Sequence, residues 1–208
     1  MRTKTLLAAA ILAAGLATSM AADVYSQNVV GYVNQTCPVG YSMVATPLKG
    51  TNDAIATLIP NPPAGTRVYK FVNGAYQGAN LYDPSESGWS DPAQTLPAGQ
   101  GYFIQSPSQW TNTYVGEVVT KSTNSLLNGY NMIGSVFPQS GTIDTALQLV
   151  PTAGDKIYSF NNGGGYNVAN TYDPGEGGWG SSPNVKVGQG IFYKSVGAKS
   201  WVQNFTVQ

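Results

Sequence analysis

Two copies of one loop carry the residue types best able to do chemistry. Tyr82-Asp83-Pro84-Ser85-Glu86-Ser87-Gly88-Trp89 returns as Tyr172-Asp173-Pro174-Gly175-Glu176-Gly177-Gly178-Trp179. In each copy two carboxylates stand three residues apart on a Gly/Pro-rich bend, Asp83 with Glu86 and Asp173 with Glu176. Oxygen ligands so placed suit Ca²⁺, which also takes backbone carbonyls. The competing reading is local: the Asp opens a turn, the Pro sets its φ and the Glu is solvated. A calcium loop usually gathers more than two carboxylates, which favours the turn. The same pair could serve a glycosidase if the carboxyls faced one sugar about 5–10 Å apart with one pKa raised by burial. Duplication of a structural loop explains two copies more simply than duplication of an active site.

Aromatic rings are the second resource. Tyr82, Trp89, Tyr172 and Trp179 sit in the two loops, and Trp110, Trp201, Tyr69 and Tyr158 flank them in what read as equivalent places. Flat rings with a polar edge stack on sugar faces and tolerate a wet interface, so Tyr82, Trp89, Tyr172 and Trp179 are the candidate ligand contacts. The plainer alternative is that the rings fill the cores.

Other chemistries are excluded by composition. The chain holds no His, which removes Ser-His-Asp and Cys-His nucleophilic systems and nearly all zinc sites. Cys37 is the only cysteine, so no intramolecular disulfide forms; it reads as a small, half-buried apolar residue, with an intermolecular bridge as the alternative. Without Arg2 and Lys4, eight basic residues face ten acidic ones, and no clustered Lys and Arg mark a nucleic-acid footprint. Charged residues are 10% of the chain against about a quarter in ordinary domains, and a sparsely charged surface lowers the barrier to self-association.

The elements that must position these residues begin after an export signal. Met1, Arg2 and Lys4 precede an apolar run from Leu6 to Ala17 and a small-residue exit at Ser19-Met20-Ala21-Ala22, which predicts a signal peptide over 1–21. That run is too short to span a bilayer, and no later one reaches spanning length, so the mature chain carries no transmembrane segment on this reading. Self-comparison then divides the rest. Gly40-Tyr-Ser-Met-Val44 matches Gly129-Tyr-Asn-Met-Ile133, Val68-Tyr-Lys-Phe71 matches Ile157-Tyr-Ser-Phe160, and Gly99-Gln-Gly-Tyr-Phe103 matches Gly188-Gln-Gly-Ile-Phe192. The sequence therefore predicts two β units, 22–118 and 119–208.

Within each unit, short apolar runs bounded by Gly or Pro predict strands. Asn73-Gly74 marks a hairpin between Arg67–Val72 and Ala75–Asn80. One short helix is expected per unit, over 54–59 and over 143–150, each ended by Pro60 or Pro151. The two Gly-Gln-Gly stretches lack the Lys-Ser/Thr of a phosphate loop and read as tight strand starts or close backbone approaches. The fold class that follows is mainly β, two tandem pseudo-repeats of a small antiparallel sandwich or barrel.

These motifs carry a resemblance. Gly-Tyr-x-Met-Val/Ile followed by Gly-Gln-Gly-Tyr/Ile-Phe resembles the surface-protein repeat in which a strand like GWNLI precedes one like GxGYW. The opening Val24-Tyr-Ser-Gln-Asn-Val-Val-Gly-Tyr-Val-Asn34 and the two-unit layout are similar to exported two-repeat proteins of planctomycete and verrucomicrobial bacteria. The resemblance implies compartment and fold and brings no activity.

The reading is thus a secreted or cell-envelope, non-catalytic structural or binding protein with contacts through β edges and aromatic loops. A carbohydrate-binding module using the loop Trp and Tyr is the alternative, and a secreted glycan-active enzyme the third. The expected partners are a second copy or a surface polysaccharide, and no cofactor is expected beyond calcium.

Overall fold

A computed structural model describes residues 29–162 and 164–206; the expected signal peptide lies outside them. The chain is mainly β. Its first half runs β1 (Val30–Cys37), β2 (Gly40–Ala45), α1 (Ile55–Leu58), β3 (Arg67–Val72), β4 (Ala75–Tyr76), β5 (Asn80–Asp83), β6 (Gly88–Trp89), β7 (Gly101–Ser106) and β8 (Trp110–Glu117). The second runs β9 (Lys121–Leu126), β10 (Gly129–Ile133), β11 (Gly141–Thr142), β12 (Lys156–Tyr158), β13 (Asn170–Thr171), β14 (Asn184–Val185), β15 (Ile191–Ser195) and β16 (Lys199–Asn204).

Every named strand pair is antiparallel. In the first half β2-β7-β3-β5-β6 form one sheet and β1 pairs with β8 as a ribbon; in the second, β10-β15-β12-β13 form the sheet and β9 pairs with β16. The alternation of side chains sets the layers. Val44, Val68, Tyr102 and Ile104 point from the first sheet toward Val33, Cys37 and Tyr114 of the ribbon, enclosing one core. Ile133, Ile157, Ile191 and Tyr193 do the same against Leu126 and Trp201. Cys37 lies inside, with 0% exposure, and burial pushes its thiol up to about 12, so no surface thiol is offered for a bridge between chains.

Local chemistry explains the turns. Asn73 and Gly74 both take positive φ, 52° and 83°, the mirror-image turn that matches strand twist and closes Val72 onto Ala75. The expected second helix over 143–150 does not form: residues 143–146 are turns, and Gln148 sits at φ 61°. The reason is side-chain competition with the helical ladder. Asp144 accepts from its neighbour Thr145 N–H at 2.8 Å and from Ser182 Oγ at 2.6 Å, while Gln148 is held by Asn204, whose backbone N–H donates to Oε1 at 2.9 Å and whose carbonyl accepts from Nε2 at 2.9 Å. The first-half helix shrinks to the four residues of α1.

The halves are joined edge to edge. Ala45 N–H donates to the Gly188 carbonyl and Gly134 N–H to the Gly99 carbonyl, 2.9 and 3.0 Å, and Val44 bridges Gln189 as Gln100 bridges Ile133. Each Gly-Gln-Gly stretch thus extends the other half's sheet. A Cβ at Gly101 would stand 2.9 Å from Ile133 N, and one at Gly190 2.6 Å from the Val44 carbonyl oxygen, so only glycine permits this approach. We predict that Gly190→Ala lowers stability by about 1–3 kcal/mol, measured by denaturant unfolding. The control Gly78→Ala, with nothing within 4 Å of its Cβ, should stay within ~0.5 kcal/mol of wild type.

Candidate functional site

The repeated Asp-Pro loops resolve into capped turns. Asp83 Oδ1 accepts from Ser85 N–H at 2.9 Å and Ser85 Oγ at 2.7 Å, and Asp173 Oδ1 accepts from Gly175 N–H at 2.9 Å. Each Asp caps a single 3₁₀ turn, Pro84–Glu86 or Pro174–Glu176, with the following residue left-handed. The Ser85 hydroxyl and N–H hold the Asp83 carboxyl below its ordinary range. Among the described residues no three or more Asp, Glu, Cys or His gather as a metal-holding group. Glu86 and Glu176 are exposed, one on each turn.

The loop indoles point inward. Trp89 and Trp179 are each 5% exposed and pack edge-on against Tyr82 and Tyr172, centroids 5.3 and 5.2 Å apart. Their faces are therefore not available for stacking on a ligand. Trp89 Nε1 donates to the Ile59 carbonyl at 2.8 Å, whereas Trp179 Nε1 is buried without a partner. The other tryptophan pair is not equivalent. Cys37 faces Trp110 and its counterpart Leu126 faces Lys199, which puts Trp201 in the place of Asn112. Both donate to corresponding carbonyls, Asn112 Nδ2 to Leu58 at 3.0 Å and Trp201 Nε1 to Leu147 at 2.7 Å.

A different set of rings meets solvent. The sheet faces opposite the two cores carry Tyr41, Met43, Tyr69, Phe71 and Phe103 in the first half, and Tyr130, Met132, Tyr158, Phe160 and Phe192 in the second; the methionines and phenylalanines close up as a third cluster between the halves. Across this face the hairpin tyrosines reach toward each other, and Tyr76 Oη lies 3.1 Å from Tyr166 Oη. Each hairpin also lends a ring to its neighbour: Phe71 packs edge-on to Phe192 at 4.8 Å, Phe160 to Phe103 at 4.9 Å. The result is two cavities of about 370 Å³ each, one walled by Tyr41, Tyr69, Phe103 and Phe160, the other by Tyr130, Tyr158, Phe192 and Phe71, with Tyr76 and Tyr166 between them. Tyr41, Tyr76, Tyr130 and Tyr166 are 42–49% exposed. Partial burial raises the phenols of Tyr76 and Tyr166 above their ordinary range, so the pair is neutral near pH 7.

None of these is among the four candidate ligand contacts Tyr82, Trp89, Tyr172 and Trp179; Tyr69 and Tyr158 enter the sequence reading only as flanking rings. The signal for this face is Tyr41-x-Met43 and Tyr69-x-Phe71: an apolar residue at every second position whose neighbours of opposite parity, Ser42/Val44 and Val68/Lys70, already face the core.

One buried charge pair lies apart. Asp155, fully buried, accepts from Lys199 Nζ, Tyr193 Oη, Val196 N–H at 2.8 Å and Thr152 N–H at 2.7 Å. Burial alone would raise its carboxyl, but the Lys199 ammonium, the Tyr193 hydroxyl and the two N–H groups outweigh it and hold the group below its ordinary range. Oδ2 takes the bonds from Lys199, Tyr193 and Thr152 and Oδ1 the one from Val196, so both oxygens are engaged in holding the fold and this cluster is structural.

This geometry defines a mainly β protein with a paired aromatic face. Compared with known proteins, the chain matches no protein-family model, and no curated protein and no solved structure matches it.

Two tests follow. Trp89→Phe and Trp179→Phe remove similar volume, but only the first orphans a buried carbonyl, so it should lose about 1–2 kcal/mol more stability in matched unfolding curves. For Asp155, a depressed folded pKa contributes stability present above the unfolded value of ~3.9 and lost as pH falls through the folded one. The melting temperature should fall as pH drops below about 4. Asp155→Asn should flatten that fall and lose roughly 3 kcal/mol at pH 7.

Proposed function

We propose that the protein is an exported, non-catalytic structural or binding protein, a duplicated β module whose contacts are made by the aromatic face that the two halves build together. The observation that carries this reading is the convergence of Tyr41, Tyr76, Tyr130 and Tyr166, each close to half exposed, on two cavities of about 370 Å³. A contiguous exposed aromatic patch marks an interaction site in a chain otherwise short of surface charge. Tyrosine suits such a place because it adds contact area at little conformational loss and keeps a hydroxyl for a wet rim.

The chemistry elsewhere supports binding over turnover. The chain lacks imidazole; Asp83 and Asp173 are occupied as turn caps; and both oxygens of the buried Asp155 are engaged by its structural partners. No helix among the described residues is long and apolar enough to cross a membrane, and export rests on the N-terminal segment. Contacts therefore move from the loop tryptophans to the tyrosine face.

The test is retention of the purified protein on envelope material from producing cells, compared with Tyr76→Ala plus Tyr166→Ala. The double variant should keep its melting profile within a few degrees and lose retention by roughly tenfold or more. Unchanged retention would contradict the reading. So would a hydrolytic activity on envelope glycans that Glu86→Gln plus Glu176→Gln abolishes.

A further inference from the structure

We infer that the two aromatic cavities are two copies of one subsite for a pyranose ring of an acidic polysaccharide, each taking its own chain. This rests on the binding role proposed for that face and names its ligand class.

Size and shape come first. A cavity of about 370 Å³ is near the lower end of small-ligand sites, ~300–1,000 Å³, and suits a single sugar ring better than a folded peptide. Its walls are rings set edge to face. Tyr41 meets Phe103 at 90° and Phe103 meets Phe160 at 78°, with Tyr130/Phe192 at 88° and Phe71/Phe192 at 87° in the mate. A saturated ring with an apolar C–H face and hydroxyl edges matches this lining, and phenol hydroxyls stand where the edges would meet them. Tyr69 Oη donates to Gln105 Oε1 at 3.1 Å, and a phenol oxygen that donates can still accept.

Charge selects among such rings. An aromatic cage commonly takes a quaternary ammonium, but no carboxylate lines either cavity and cations already stand beside them. Lys194 Nζ is 5.4 Å from the Tyr130 ring centroid, and Lys156 faces Lys194 across β12 and β15. Arg67, two residues before Tyr69 on the same strand face, stands opposite Gln105 on β7, whose side chain takes the Tyr69 hydroxyl. Three of the eight basic residues after position 22 thus lie at this face. A second cation would be repelled, and a ring bearing a carboxylate would be attracted.

Symmetry fixes the stoichiometry. Ala45 to Gly188 and Gly134 to Gly99 are reciprocal contacts, the pattern of a two-fold axis, here passing by the Tyr76–Tyr166 hydroxyl pair. A sugar chain has direction, so one straight chain cannot enter both cavities in the same way. Two chains can, one per cavity, and the protein then ties them together.

The experiment is an NMR titration of the full chain's aromatic signals with a galacturonate tetramer and, separately, a glucose tetramer. The acidic tetramer should shift two sets of ring signals, one per cavity, with affinity falling roughly threefold or more between low and physiological salt. Lys194→Gln, which installs the residue found at the matching place on β7, should weaken only the Tyr130 cavity by about threefold or more; Tyr41→Ala should abolish only the other. Long polygalacturonate should be cross-linked by the wild type and not by Tyr41→Ala. No shift with either tetramer at 10 mM, or shifts untouched by both variants, overturns the inference. Equal, salt-independent binding of the glucose tetramer overturns the acidic assignment alone. Retention on envelope material that still depends on Tyr76 and Tyr166 would then leave the broader binding role standing.

Discussion

The structure depends on how closely two sheet edges approach each other. Ala45 and Gly134 each give their N–H to a carbonyl in the other half's Gly-Gln-Gly stretch, and the approach leaves no space for a Cβ at Gly101 or Gly190. Edge strands with unpaired amides are a liability in any open sheet. Here each half covers one edge of the other with backbone, so the pairing blunts two edges and fixes a shared orientation at once.

That orientation makes the aromatic face. Met43, Phe103, Met132 and Phe192 are buried at 2–6% exposure because each half supplies the cover for its neighbour: Phe160 over Phe103, Phe71 over Phe192. Edge-to-face ring pairs add about 0.5–1.5 kcal/mol each beyond area burial, so the cluster reinforces the seam that creates it. The tyrosines at its margin stay amphipathic, with rings on the cluster and hydroxyls in water. By contrast, the loop tryptophans face inward, each edge-on to a tyrosine, as Trp89 to Tyr82 and Trp179 to Tyr172, and Trp89 and Trp201 also give their N–H to the carbonyls of Ile59 and Leu147.

Much of this was legible in the residues. Short apolar runs between Gly and Pro gave the mainly β class, and Asn73-Gly74 located the hairpin's turn to the residue, while its second arm stops at Tyr76 instead of Asn80. Of the two readings of the Asp-Pro loop, turn or calcium site, the turn is the one visible locally, since Asp, Pro and a left-handed residue fix it. Three features were not legible. The stretch after Thr142 has helical spacing, but Asp144 and Gln148 engage Ser182 and Asn204 far along the chain, and such contacts leave no local trace. Matching Trp110 to Trp201 followed residue type, whereas strand register pairs Trp201 with Asn112. The aromatic face was hidden for a related reason: strands apolar at both parities do not declare which parity meets the core until their partners are known.

Native-state hydrogen exchange at the seam tests the central claim most directly. If the reciprocal pairing organises the molecule, the amides of Ala45, Gly134 and Gly190 exchange only with global unfolding, as slowly as the β2–β7 amides beside them. Exchange of those three at loop-like rates, while the β2–β7 ladder stays protected, would show that the halves part freely and that the aromatic face is not a fixed structure.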